Sequence, residues 1–183
     1  LGDVYKRQLP NIAEGDELAI NVGSNCYFTS DISNLTWLPD QPYTAGGWGY
    51  IGGKAHSTTS EIYNTLDGPI YQTWREGNWS YKIDAPIGEY EIELLIADVT
   101  KPAAQLANLL NKNKEEKHSG ETRFHISICG KQVETNFSPI DGGKHRTAFK
   151  RRYIIRNEHD HIVISAGAVK GEPFLAGIKV RKL

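Results

Sequence analysis

The sequence contains no methionine and only two cysteines in 183 residues. Two cysteines cannot build the disulfide framework by which many small secreted domains replace a core. Cys26 and Cys129 read as free thiols packed as small hydrophobes, with one disulfide between them as the alternative. Charge of one sign is also missing: the formal net charge is −1, so no overall field draws nucleic acid or an anionic membrane. No apolar run approaches the roughly 20 residues of a membrane span, and no leader pattern is visible. The segment therefore reads as part of a longer chain. The histidines read as lacking close His-x-His or His-Glu-x-x-His spacing, and there is no P-loop, dinucleotide fingerprint or Gly-x-Ser-x-Gly elbow. No metal, cofactor or catalytic residue is expected.

What is present is turn-rich and aromatic: 18 glycines, nine tyrosines and four tryptophans. Residues 1–17 read as a linker remnant or non-native lead, and residues 18–183 as one domain opening on Leu18-Ala19-Ile20-Asn21-Val22-Gly23. From Trp79 onward a period of two dominates. Trp79, Tyr81 and Ile83 alternate with polar residues. After a turn at Pro86–Gly88, Tyr90, Ile92, Leu94 and Ile96 alternate with Glu89, Glu91 and Glu93. Strand side chains alternate faces, so the acids are expected in solvent and the apolar set in the core. Phe124, Ile126 and Ile128 repeat the pattern, as do Phe149, Tyr153 and Ile155, then Ile162 and Ile164, then Phe174, Ala176, Ile178 and Val180. Many short strands between turn residues predict an all-β, jelly-roll-like sandwich. Residues 103–117, with Leu106, Leu109 and Leu110 at helical spacing, predict an inserted, partly helical loop. The basic residues Lys144, His145, Arg146, Lys150, Arg151 and Arg152 read as a solvated strand edge.

Candidate chemistry gathers at two places. Trp48 and Tyr50 lie between Gly46-Gly47 and Gly52-Gly53, which reads as a glycine-rich surface loop presenting flat rings. Such rings stack on the apolar faces of sugars; covering one end of the core is the equal alternative. Trp74, Arg75 and Glu76 precede a glycine turn at Gly77. The guanidinium fork and the paired carboxylate oxygens suit vicinal hydroxyls, and solvating the turn is the alternative. Asp98 and Glu172 sit at strand ends from which they would reach the same rim, or would cap local turns.

Taken in order, several segments resemble the malectin domain. They are Ile20-Asn21-Val22-Gly23, the aromatic-glycine stretch, Tyr71-Gln72-Thr73-Trp74-Arg75-Glu76-Gly77, Trp79–Ile83, Gly88–Leu94, Phe124–Lys131 and Gly171–Val180. The resemblance implies a β-sandwich whose loops at one end bind a glycan. It also implies kinship with carbohydrate-binding module family 57, as attached to bacterial family 2 glycoside hydrolases of the β-galactosidase kind. The implied role is a noncatalytic accessory domain that binds oligosaccharide or polysaccharide and partners the catalytic domain of its own chain. The implied location is periplasmic or extracellular. A structural domain that braces the catalytic module without binding sugar is the alternative. Residue by residue, the family's loop tyrosine matches Tyr50, and Glu76 replaces a second tyrosine. Thr100 and Lys101 replace an aromatic pair, and Gly171 replaces the binding aspartate, with Glu172 the nearest acid.

Overall fold

The computed structural model describes residues 15–99, 122–139 and 145–183. The described residues form two six-stranded sheets and one short helix. In chain order the elements are β1 (Glu17–Asn21), β2 (Phe28–Thr29), β3 (Thr36–Pro39), β4 (Trp48–Ser57), α1 (Gly68–Tyr71), β5 (Thr73–Asp84) and β6 (Gly88–Ala97), followed by β7 (Arg123–Ile128), β8 (Lys131–Phe137), β9 (Ala148–Asn157), β10 (His161–Lys170), β11 (Phe174–Leu175) and β12 (Gly177–Lys182). The first sheet runs β2-β3-β1-β12-β6-β9; the second runs β11-β5-β10-β7-β8, with β4 paired to β5. This is the expected all-β sandwich. The expected helical loop at residues 103–117 lies outside the described residues, as do Thr100 and Lys101.

The alternating residues do face a common core. Ile20, Tyr90, Ile92, Leu94, Ile178 and Val180 of the first sheet are fully buried, as are Tyr81, Ile83, Phe124, Ile126, Ile162 and Ile164 of the second. Phe124 packs edge-on against Phe137, with ring centroids 5.4 Å apart. The β7–β8 hairpin turns at Cys129 and Gly130, both with positive φ (50° and 74°), the twist that matches right-handed strands. The start of the domain is tied in slightly ahead of Leu18: β1 begins at Glu17, and Gly15 N–H donates to Lys182 O at 3.1 Å.

Four local expectations are corrected. Trp48 to Ser57 is a ten-residue strand, not a loop. Its glycines serve close approach: a Cβ on Gly49 would stand 2.5 Å from the Gln41 carbonyl oxygen. Gly77 likewise makes no turn between strands. It lies within the twelve-residue β5, where the register against β4 shifts between Gly52 and Lys54. The thiols are both free, but Cys26 is exposed and Cys129 only half-buried. Finally, Glu91 and Glu93 are buried, at 8% and 4% exposure, although both point away from the core.

Period-two reasoning fails for these glutamates because β6 lies between β12 and β9, whose long cations close over it. Arg181 reaches Glu91 at 3.3 Å; Lys150 and Arg152 each reach Glu93 at 3.3 Å, and Lys179 stands 3.9 Å from it. Burial pushes the Glu93 carboxyl up, but Lys150, Lys179 and Arg152 outweigh it and hold the group below the ordinary glutamate value. A depressed carboxyl stabilises the fold above the unfolded-state pKa, and that contribution disappears as pH falls through the folded-state value. Glu93→Gln should therefore lower the urea midpoint at neutral pH and converge on the parent only as pH falls through the depressed folded-state value. A difference that stays constant from neutral to acid pH would contradict this assignment.

Candidate functional site

Asp40 follows β3 in the first sheet and turns the chain toward the second. The next residues run beside β4: Tyr50 N–H donates to Gln41 O at 2.9 Å, and Tyr43 N–H to Tyr50 O at 3.0 Å. At this corner the Asp40 carboxylate, 3% exposed, accepts from four groups. They are Gly23 N–H at 2.8 Å, Arg75 Nε at 3.1 Å, Arg75 Nη2 at 2.9 Å and the Tyr81 hydroxyl at 3.0 Å. Arg75 directs Nη1 at the carbonyls of Gly52 and Gly53 and lies flat on Tyr50, its Cζ 3.3 Å from the ring centroid. Burial disfavours the Arg75 charge, but the hydrogen bond and attraction from Asp40 reverse that and raise its pKa. Burial, then Asp40, pushes the Tyr81 phenol well above its ordinary value.

Three residues expected at a binding surface are thus occupied within the fold. Arg75 faces Asp40, Tyr50 is half-buried beneath the guanidinium, and Trp48 is a core residue at 3% exposure. For Trp48 the structure shows the core-covering alternative.

A different grouping reaches the rim through His56 and Glu76, while Trp74 itself is buried at 8% exposure. Trp74 Nε1–H donates to Glu76 Oε2 at 3.0 Å, and the His56 ring stacks on Trp74 with centroids 5.6 Å apart at 19°. His56 Nε2 lies 4.0 Å from the same Glu76 oxygen, the two side chains being 44% and 30% exposed. Glu172 approaches the next residue of β5: its Oε2 lies 3.6 Å from where a Gly77 Cβ would stand. Gly77 N–H donates to Pro173 O at 2.9 Å and Trp79 Nε1–H to the same oxygen at 3.2 Å, fixing the Glu172 loop against β5. Trp74, Glu76 and His56 are therefore brought together, with Glu172 lying over the adjacent Gly77. Asp98 is buried past the end of β6, where its carbonyl accepts from Arg146 N–H at 2.7 Å. The rim offers carboxylate oxygens to hydroxyl donors beside an imidazole with an accessible edge.

Sequence reasoning missed Asp40 and His56. Asp40 sits between Pro39 and Pro42, where no period exists to mark it, and His56 lies on the strand mistaken for a loop. The reading that no His-x-His spacing occurs is corrected: His159 and His161 form one, their rings stack at 6.0 Å, and Asp160 binds His161 Nδ1 at 2.6 Å. Among the described residues no group of three potential metal ligands occurs. A separate groove of about 1120 Å³, lined by Ile32, Trp37, Leu66, Glu93 and Lys150 among others, includes none of the nominated residues.

The malectin domain family model matches residues 17–178, nearly all of the described fold. The chain belongs to the malectin domain family. Solved structures agree with that assignment. A β-glucuronidase 2 from Bacteroides uniformis superimposes with a TM-score of 0.79 at 45% identity, covering 92% of this chain but only 18% of that one. The ANX1 ectodomain from Arabidopsis thaliana shares the fold alone, at 16% identity and a TM-score of 0.64, over 89% of this chain and 47% of that one. A kinesin-like protein KIN-14E of Oryza sativa subsp. japonica is 28% identical over 136 residues, 73% of this chain and 12% of that protein. This malectin domain spans 18%, 47% and 12% of these three longer chains.

The corner pair makes a direct prediction. Removing one member of a buried ion pair leaves the other charge uncompensated, at a cost of about 3–5 kcal/mol. Arg75→Met alone should lower stability by that order in chemical denaturation. Adding Asp40→Asn to it should recover part of the loss. A double variant no more stable than Arg75→Met would show that the carboxylate is not the source of the penalty.

Proposed function

We propose that this malectin domain is a noncatalytic carbohydrate-binding module serving a larger glycoside hydrolase outside the cytoplasm. The observation that carries the reading is the 45% identity, along almost the whole chain, with one segment of a bacterial β-glucuronidase. The site we favour is Trp74, Glu76 and Glu172, joined by His56. Glu76 is oriented by the Trp74 indole, so its remaining acceptor capacity is aimed without a further loss of side-chain freedom. A shallow site of this kind suits one or a few sugar rings and micromolar to millimolar affinity. Kinship with carbohydrate-binding module family 57 is part of the same reading. Arg75, stacked on Tyr50, anchors the neighbouring stretch of β5, whereas Trp48 pairs with Ile83 at the far end of that strand.

A second reading, a bracing domain, is favoured by one observation. Ile32 and Leu66, 61% and 86% exposed, flank the groove on the outer face of the first sheet. Exposed apolar side chains of this size suit contact with a neighbouring domain.

Titration of intrinsic tryptophan fluorescence with neutral gluco-, galacto- and manno-oligosaccharides tests the first reading. A saturable change for one class is expected, weakened about tenfold or more by Glu76→Gln or His56→Ala, since hydrogen bonds to charged groups carry that order of energy. Trp48→Ala is not a useful probe, because truncating a buried tryptophan costs about 3–5 kcal/mol of stability. Silence across the panel from folded protein would favour the bracing role.

A further inference from the structure

Beyond the Trp74 rim, the described residues hold a second aromatic and polar pairing that the sequence did not suggest. Tyr63 is 47% exposed, and its ring belongs to no core contact of the sandwich. The Arg146 guanidinium lies beside it, Cζ 5.3 Å from the ring centroid and Nη2 3.4 Å from the phenol oxygen. The guanidinium therefore sits toward the hydroxyl edge and leaves ring surface open. Arg146 also differs from the cations of β9, which follows it. Lys150, Arg151 and Arg152 are matched to Glu93, Glu134 and Glu91, whereas among the described residues no carboxylate pairs with Arg146.

The pair is held in place by backbone. Tyr63 N–H donates to Arg146 O at 2.7 Å, Ala148 N–H to Tyr63 O at 2.9 Å and Arg146 N–H to Asp98 O at 2.7 Å. Asn64 Nδ2 adds a bond to Ala148 O at 3.1 Å. Four hydrogen bonds from three chain segments thus fix the relative position of ring and cation before any ligand arrives, which lowers the ordering cost of binding.

We propose that Tyr63 and Arg146 form a subsite for a sugar carrying a carboxylate, a uronate residue of an acidic glycan. The open tyrosine face suits the C–H surface of a pyranose. The guanidinium fork at the ring edge suits two carboxylate oxygens, a planar match that an ammonium or a neutral amide does not reproduce. The subsite differs in sign from the Glu76 and Glu172 rim, whose carboxylates repel a uronate and accept from neutral hydroxyls. The inference rests on the carbohydrate-binding reading but assigns a different place and a different sugar class.

The test uses the isotope-labelled chain and two probes that differ only at C6, methyl β-D-glucuronide and methyl β-D-glucoside. The glucuronide should shift the Arg146 Nε–H and Tyr63 ring resonances saturably, and less as salt is raised. Arg146→Gln and Tyr63→Ala should each weaken this about tenfold, while Arg146→Lys keeps part of it. An equal response to the glucoside, or unchanged affinity in Arg146→Gln, overturns the subsite. If neutral sugars perturb the Trp74 indole while Arg146 stays silent to both probes, the subsite falls and the carbohydrate-binding module stands. If the glucuronide perturbs Arg146 and no neutral sugar perturbs Trp74, the subsite stands and the neutral rim falls.

Discussion

A single carboxylate, Asp40, closes one side of this sandwich. The chain leaves the first sheet at β3 and joins the second beside β4, and at the crossing it must place a backbone turn over an apolar core. Asp40 meets that constraint by accepting from a backbone amide near β1, the Tyr81 hydroxyl and the Arg75 fork. The cost of burying the charge is offset because its partners are already fixed by their own strands. The site above inherits this rigidity. Arg75 and Trp74 are consecutive on β5, so the pair that anchors the corner also sets where the indole and Glu76 stand.

The opposite side is closed differently. There β9 and β8, the terminal strands of the two sheets, meet through side chains. Tyr153 donates to Glu134 at 2.8 Å, Arg151 stands 3.5 Å from the same carboxylate, and its guanidinium lies over Phe137 and Phe149. Charged and aromatic groups cover the ends of both ladders, a standard defence against edge-to-edge pairing. Polar interactions therefore complete a fold whose centre is almost wholly apolar.

Most of the architecture was legible because it rests on a period of two. Tyr90 to Ile96 and Phe124 to Ile128 announce their strands and inward faces without help from the rest of the chain. Glu91 and Glu93 show the limit of that signal. Alternation identifies the face that avoids the core, but their burial depends on which strands flank β6, and that is a matter of topology. The glycines of β4 mislead for a related reason. Gly49 is required by a segment crossing against it, and nothing within β4 itself records that approach. The candidate site residues follow the same division: Trp74, Glu76 and Glu172 were visible as chemical types, though the turn expected at Gly77 is strand interior. The roles of Arg75 and Tyr50 were not visible, since their partner Asp40 is 35 residues away from Arg75 along the chain.

Pairing of β1 with β12 carries a mechanical consequence. The strands are antiparallel, with Glu17 opposite Arg181, so the first and last strands of the sandwich bring their outer ends side by side. A force drawing Glu17 away from Arg181 would load the β1–β12 hydrogen bonds one after another, peeling them from the outer end instead of shearing them together. The pairing that closes the sheet is therefore also where a pulling force would first open it.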